Sequence, residues 1–506
     1  MTDRIANILT AQGLGKGNSI LLCSTQTPET LYLILACSKL GICLVMLNPT
    51  LGAEQLERII RESDAQWFFC LDKLYGVIDE SLKKHEIANT IIIPATASLP
   101  GVIRFVDGIK GRHRGKNKNI CMWSRFLKWK EIECGEESGE ADSDLVVVFS
   151  SGTTGEAKGI IHTNKSYVSM AVQYQNNGYP FERGDTFLNQ LPAFIAAGLS
   201  YPLLAPLAFG VKIILEPVYQ ESVLVKDLVK YKPNIVAATK SFWFAAAKDK
   251  NMTRNALENL KIPVSGGEAI NEQDTKALNG FSREYGCLHE MYFGYGMSEL
   301  NGTAVTTPVQ GYSPGSIGIP LPAVVVAAFD ADNMKECTYG EYGEIMIQTP
   351  CCMKEYYHNA ELTHNFFWKD GDGNTWCRTG DVGYINENGE VYVLGRVADS
   401  MRTKSGKRLY FFEVETAVQE EATVAQCKVV YLEENDEWLV NLVLHIALEE
   451  DELHLRLDEL CKDVLGENQT IRYKVWDAFP LTPNGKCDVR AMKSIAKFQR
   501  PSENKK

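Results

Sequence analysis

The chain has 14 cysteines but no C-x-x-C pair anywhere. Cys351 and Cys352 are adjacent, and Cys287 with His289 lacks a second pair of ligands. Such spacing gives no reason to expect a structural zinc site. The cysteines read instead as free thiols in a reducing cytoplasm. A surplus of positive charge is missing as well. The net charge is −12, which disfavours a broad nucleic-acid surface. The opening "MTDRIANILTAQG" lacks the apolar core of a signal peptide. No run reaches the roughly 20 apolar residues that a membrane helix needs, so no transmembrane segment is expected. The nearest stretch, "YPLLAPLAFGVKIIL" (201–215), is broken by Pro, Gly and Lys. No internal repeat is present. What remains is a chain of 506 residues, 45% hydrophobic, long enough for more than one core.

Over residues 4–70 helix-like and strand-like patterns alternate. "NSILLCS" and "AQWFFCL" read as strands, and "TPETLYLILACSKLG" reads as a helix ending at a glycine cap. That alternation predicts an α/β sheet with crossover helices. A basic cluster follows (Lys110, Arg112, Arg114, Lys116, Lys118) and reads as a solvated surface excursion. The acidic stretch 131–144 reads as a linker or loop. A second α/β stretch runs from 145 to about 295, with "VKIIL", "IVAAT" and "KIPVSGG" as strands. From about 310 to 395, Gly-rich turns separate short alternating strands, "GEIMIQ" and "GEVYVLG", which suits antiparallel β structure. A mixed α/β tail follows Arg396.

The segment richest in chemistry is "VVVFSSGTTGEAKGII" (146–161). Val146–Phe149 is apolar without alternation and reads as a strand buried on both faces. The loop after it offers hydroxyls from Ser150, Ser151, Thr153 and Thr154. Gly152, Gly155 and Gly159 let the backbone approach a ligand. Lys158 adds a mobile positive charge to N–H groups that suit an anion. The functional reading is a phosphate cradle; the bland one is a strand-to-helix turn with solvated hydroxyls. A Walker loop is excluded. Counting from Gly152, its second glycine falls on Ala157, and Gly159 stands where a hydroxyl should follow Lys158.

Other segments are weaker alone. "VSGGEAI" (264–270) ends a strand in two glycines. "MYFGYGMSEL" (291–300) sets Tyr295 between glycines, then Ser298 and Glu299. An aromatic so placed can stack on a flat base, and a carboxylate beside a hydroxyl can hold Mg²⁺ on a phosphate. Asp381 in "WCRTGDVGYINENGEVYVLGR" (376–396) reads as a turn residue able to accept both hydroxyls of a ribose, or simply as a turn cap. "SMRTKSGKRLYFFEVE" (400–415) is a basic loop before an acidic helix start, and "PLTPNGKCD" (480–488) presents Lys486 in a turn. "GYSPG" (311–315) matches the G-x-S-x-G nucleophile elbow. Pro314 follows its serine and has no N–H for an oxyanion hole, so a serine hydrolase is excluded.

In this order, "SSGTTGEAKG", "SGGEA", "YGMSE", "RTGD", "GR", "SGKRL…EVE" and "PNGK" resemble the adenylate-forming superfamily. Its members are acyl- and aryl-CoA synthetases, beetle luciferases and peptide-synthetase adenylation domains. The resemblance spans nearly the whole chain and is strongest to an acid–CoA ligase. It implies an α/β fold: two α/β subdomains and a β-barrel in residues 1–397, then a small mobile α+β domain in 398–506. It also implies a reaction. A carboxylate attacks the α-phosphate of ATP, giving an acyl-adenylate and pyrophosphate, and the thiol of coenzyme A then displaces AMP. A stand-alone enzyme that loads a carrier protein, or a non-catalytic nucleotide-binding relative, would share the motifs.

By the same resemblance, Ser150, Ser151, Gly152, Thr153, Thr154, Gly155 and Lys158 cradle the β- and γ-phosphates. Gly267, Glu268 and Ala269 line the adenine, and Tyr295 stacks on it. Ser298 meets the α-phosphate, Glu299 ligates Mg²⁺, and Asp381 and Arg396 bind the ribose. Lys486 bridges the α-phosphate and the acid during adenylation. After rotation of the small domain, the loop at Ser405 and Gly406 replaces it. The chain departs from the pattern in having Ser298 for a usual threonine and Cys377 for a common aromatic before "RTGD". One extra residue stands between Arg396 and the loop glycine, which leaves Asp399, or else Ala398, as the hinge.

The implied acid pocket is "LPAFIAAGLS" (191–200). Amino-acid-activating relatives carry an aspartate where this chain has Ile195. An ammonium left unpaired in an apolar pocket is costly. Phe194, Ile195, Phe242 and Trp243 therefore point to an apolar aliphatic, alicyclic or aryl carboxylic acid.

Overall fold

The structure is a computed structural model. It describes residues 1–82, 84–85, 87–100, 119–135, 139–151, 156–402, 406, 408–446, 449–467, 469–480 and 487–498, without the side chains of 151, 450 and 495–498. The basic cluster at 110–118 lies outside the described residues. The chain forms two compact units. One comprises Met1–Ala327, Met346–Thr379 and Ile385–Tyr392; the other comprises Ala328–Ile345, Gly380–Tyr384 and Val393–Lys506.

The first sheet of the larger unit grows from β1 (Ser19–Cys23), β2 (Cys43–Met46), β3 (Trp67–Leu71), β4 (Asn89–Ile93) and β5 (Ile120–Met122). They run parallel in the order β2-β1-β3-β4-β5. The helix Pro28–Leu40 links β1 to β2. Thr27 caps its start by accepting from the Thr30 amide, and Gly41 ends it at φ 66°, where a side chain is disfavoured. All five residues of β3 are buried, as a strand covered on both faces requires.

β6 (Asp144–Ser151) joins the sheet parallel to β2, and Val146–Phe149 are buried as the apolar run predicts. The chain then turns back on itself. β7 (Ala157–Thr163) pairs antiparallel with β6, setting Ser150 opposite Lys158. The candidate phosphate loop thus connects a β-hairpin, and the strand-to-helix alternative is overturned. Gly159 faces Phe149 and Tyr357 so closely that a Cβ would meet Phe149 Cε1 at 2.9 Å.

The second sheet contains β8 (Thr186–Asn189), β9 (Lys212–Leu215), β10 (Ile235–Ala238), β11 (Ile262–Gly266) and β12 (Tyr292–Met297) in the parallel order β9-β8-β10-β11-β12. β13 (Gly302–Thr306) and β14 (Ile319–Pro320) extend it antiparallel. Its core surrounds Trp243, which is wholly buried among Leu188, Val236, Leu278, Phe281 and Phe293. The indole Nε1 donates to the Val264 carbonyl at 2.9 Å. Trp243 is therefore a core residue and lines no acid pocket, correcting that expectation. Trp243→Ala is expected to cost about 3–5 kcal/mol of stability, read as a lower denaturant midpoint at constant m-value.

A third sheet is curled into a half-barrel, the form the expected barrel takes. It orders β15 (Val325–Phe329), β16 (Gly343–Gln348), β19 (Thr375–Ile385) and β18 (Phe367–Lys369), with β20 (Val391–Arg396) on β19. A two-residue strand, β17 (Glu355–Tyr356), pairs antiparallel with β7 at the edge of the first sheet.

In the smaller unit, β21 (Ser400–Arg402) and β22 (Arg408–Tyr410) form a hairpin before the helix Phe411–Gln419. The Glu413 carboxylate accepts from the Tyr410 amide at the helix start, the use expected of acid there. β23 (Val424–Leu432), β24 (Glu437–Leu444) and β25 (Thr470–Val475) form a mixed sheet. It shares a core of Val414, Val429, Trp438, Val440 and Leu457 with helices Phe411–Gln419 and Glu450–Leu465. Among the described residues no helix is long and apolar enough to cross a membrane.

Candidate active site

β12 runs out at Met297 into a single helical turn, Ser298–Leu300. The strand is irregular at Tyr295 and Gly296. A Cβ on Gly296 would lie 1.7 Å from the Gly302 carbonyl oxygen, so only glycine lets β13 pass this close. The turn is held from two sides. His162, wholly buried on β7, has Nε2 2.7 Å from the Ser298 carbonyl oxygen. Burial pushes its pKa down to about 4, so the ring is neutral and Nε2 carries the proton it donates. The Met353 amide donates to the Glu299 carbonyl at 2.7 Å.

The Glu299 side chain is itself buried. Its Oε1 accepts from the Tyr356 hydroxyl at 2.7 Å. Burial, and then the Glu299 charge, hold that phenol above its usual pKa, so it stays a donor. Lys158 Nζ lies 5.9 Å from the centroid of the Tyr356 ring. Lys158, Tyr356, Glu299, Ser298 and His162 therefore form one connected group built from β7, β17 and the turn after β12.

Gly267 and Glu268 follow β11 in a bend, with Gly267 at φ 80°. The Glu268 carboxylate accepts from the amide and hydroxyl of Ser241 at 3.0 and 2.8 Å, at the start of helix Lys240–Lys248. This carboxylate is engaged in holding a helix N-terminus, a task the resemblance did not indicate. Ala269 is exposed beside it. Next along that helix, Phe242 stacks on Tyr219 with centroids 4.4 Å apart. Phe194 is buried, and Ile195 is half-buried just before the short helix Ala196–Leu199.

In the smaller unit, Asp381 lies within β19 and not in a turn, correcting the sequence reading. Gly380 before it takes φ 69° and donates its amide to the Glu344 carboxylate at 3.2 Å. Arg396 Nε pairs with Asp381 Oδ1 at 2.9 Å; the arginine is 48% exposed and the aspartate 12%. The Asp399 amide donates to the Arg396 carbonyl, and its own carbonyl accepts from Phe411, both at 3.0 Å. Gly406 takes φ 85°. Gly152, Thr153, Thr154, Gly155, Ser405 and Lys486 lie outside the described residues, as does the side chain of Ser151.

Residues 1–357 match the family described as AMP-binding enzyme. The chain belongs to the AMP-binding enzyme family.

Two relatives and one solved structure illustrate its place there. A protein of Arabidopsis thaliana named malonate–CoA ligase is 28% identical over 392 residues, 71% of this chain and 62% of that protein's length. The long-chain-fatty-acid–CoA ligase FadD13 of Mycobacterium tuberculosis is 24% identical over 492 residues, 96% of this chain and 90% of its own. ATP-bound MatB from Rhodopseudomonas palustris superposes with a TM-score of 0.78 at 21% identity, covering 98% of this chain and 92% of its own. At that identity the likeness speaks for the fold.

Two residues of this AMP-binding enzyme escaped the sequence reading, His162 and Tyr356. A signal for the first was present: His162 stands four places after Lys158 on one strand, hence on the same face. The Ser313 decoy is inert for a structural reason as well. Its amide and hydroxyl both donate to Glu390, at 2.6 and 2.7 Å. Among the described residues no group of three or more His, Cys, Asp or Glu could hold a metal by itself.

Burial of neutral His162 carries a pH consequence. Unfolded, it takes up a proton below about pH 6.5; folded, it stays neutral down to about 4. Its contribution is intact above pH 6.5 and is lost as pH falls from 6.5 towards 4. The complete window corresponds to at most about 3 kcal/mol. In the His162→Gln variant the loss of stability between pH 7 and about pH 5 should be smaller than in the parent. An unchanged slope in denaturant titrations would mean that His162 takes up its proton equally in the folded and the unfolded chain.

Proposed function

We propose that this chain is an AMP-forming acid–CoA ligase acting on an apolar carboxylic acid. The carboxylate oxygen attacks the α-phosphorus of ATP and the bond to pyrophosphate breaks. The thiol of coenzyme A then attacks the acyl carbon, and AMP leaves. Such chemistry asks for positioning and charge stabilisation more than for covalent help. The observation that carries the reading is the Ser298–Glu299 turn, clamped by His162 and Tyr356 beside Lys158.

In this reading the hairpin loop 150–158 holds the β- and γ-phosphates, and Ser298 meets the α-phosphate. Tyr295, with Gly267, Glu268 and Ala269, holds the adenine. Asp381 accepts the ribose hydroxyls, and Arg396, paired with it, fixes its orientation. Glu299, whose Oε1 accepts from Tyr356, would hold Mg²⁺, a cation that favours hard oxygen donors. When bound, Mg²⁺ would neutralise phosphate charge. Lys486 bridges acid and α-phosphate in the first half-reaction. We set the working boundary between 397 and 398, with Asp399 as hinge and the Ser405–Gly406 loop serving the second half. Fourteen free thiols fit a reducing, cytoplasmic setting.

Ile195 and the Phe242–Tyr219 stack favour an aliphatic, alicyclic or aryl acid without a charged tail. The deciding experiment measures pyrophosphate release with ATP and Mg²⁺ over a panel of acids, with and without coenzyme A. An apolar acid should give release that coenzyme A accelerates, with AMP and a thioester as products. Activation that coenzyme A leaves unchanged would point to a carrier protein as acceptor. No activation by any acid would leave a nucleotide-binding protein without this activity.

A further inference from the structure

All fourteen cysteines are free, and two of them meet beside Glu299. Cys352 Sγ lies 3.1 Å from Cys377 Sγ. The two come from different segments. Cys352 precedes Met353, whose amide holds the Glu299 carbonyl, and Cys377 sits on β19 opposite Phe367. Cys352 is partly exposed, whereas Cys377 is buried. The neighbouring Cys351 points elsewhere, with its thiol on the Gln173 side-chain oxygen at 3.1 Å. Cys23 and Cys70 also lie side by side, but both are wholly buried in the core of the first sheet, with no surface for an oxidant to reach.

We propose that Cys352 and Cys377 are a dithiol site for hydroperoxides, and that closing it to a disulfide turns down nucleotide use at the Glu299 site. The first step forms an S–O bond at Cys352, the residue of the pair that reaches the surface. Cys352 attacks the terminal oxygen of hydrogen peroxide, the O–O bond breaks, and water leaves with the thiol proton. In the second, Cys377 attacks the sulfenic sulfur of Cys352, the S–S bond forms, and a second water carries off the hydroxyl and the last thiol proton. Two thiols lose two electrons, and one peroxide becomes two waters.

The consequence follows from what flanks the pair. Bond formation draws the two sulfurs together by about an ångström. Residue 352 is covalently next to the amide that fixes Glu299. Tyr356, four residues on, fixes the Glu299 carboxylate. Burial first, then the Cys377 thiol and after it the Glu299 charge hold the Cys352 thiol above its usual pKa, and both thiols act in turn on Tyr356, so all of these groups are close neighbours. A shift of this segment moves the carboxylate proposed to hold the metal. Displacements near an ångström in such sites cost roughly 10–100-fold in rate.

The test uses the full chain, reduced and then treated with hydrogen peroxide, with and without later dithiothreitol. Peptide mapping by mass spectrometry should recover Cys352 joined to Cys377. Affinity for ATP with Mg²⁺, measured by calorimetry, and pyrophosphate release should fall together and return with dithiothreitol. Cys352→Ser and Cys377→Ser should each be insensitive to peroxide. The inference is overturned if mapping finds both thiols free, if the crosslink forms without altering ATP affinity, or if either variant is inhibited like the parent. Mapping and ATP affinity need no acid, so they decide this inference even if the ligase reading fails.

Discussion

Glu299→Gln is expected to slow pyrophosphate release by about 10²–10³-fold, the usual size of losing one electrostatic contact to a phosphoryl transition state. Its folding should barely change. Glutamine keeps the volume, and its side-chain oxygen can still accept from Tyr356. What disappears is the negative charge that Mg²⁺ would meet, so the Mg²⁺ concentration for half-maximal rate should rise. Tyr356→Phe makes the opposite cut. It keeps the charge and removes the hydroxyl that fixes it, leaving a buried carboxylate short of a partner. That variant should lose about 1–3 kcal/mol of stability and should need less change in Mg²⁺ than Glu299→Gln. Steady-state rates against Mg²⁺, paired with denaturant titrations, separate the two effects. A Glu299→Gln enzyme with an unaltered Mg²⁺ requirement would remove Glu299 as metal ligand.

Much of the architecture was legible because it is local. The glycine cap at Gly41, the unbroken apolar run of β3 and the existence of strands β16 and β20 each need only a few neighbours, though β16 is buried at five successive residues and does not alternate. Direction of return was not legible. Nothing in "SSGTTGEAKG" says whether the chain proceeds to a helix or back along its own strand, and the hairpin had to be seen. Partnerships across the chain were hidden for the same reason. His162 reaches Ser298 over 136 positions, and Tyr356 reaches Glu299 over 57. Trp243 looked like pocket lining from its neighbour Phe242. Its indole is instead fixed in the core by Val264. Asp381 read as a turn residue, with a glycine before it. That glycine only bends a continuing strand, with Glu344 accepting its amide.

Lys486→Ala should divide the reaction in two. Adenylate formation is expected to fall by about 10²–10³-fold, since a cation is removed from between two anions as they come within bonding distance. Thioester formation from a preformed acyl-adenylate and coenzyme A should stay near the parent rate. That half needs the thiol delivered, and in the proposed reading it draws on the loop at Gly406. Gly406→Ala gives the complementary prediction. Gly406 holds φ 85°, where an alanine is strained, so the loop shifts while Lys486 is untouched. The second half should then suffer more than the first. Two single-turnover assays measure this, one following pyrophosphate and the other consumption of supplied adenylate. If both variants slowed both halves equally, the small domain would serve a single conformation. The proposal of Asp399 as hinge would then fall.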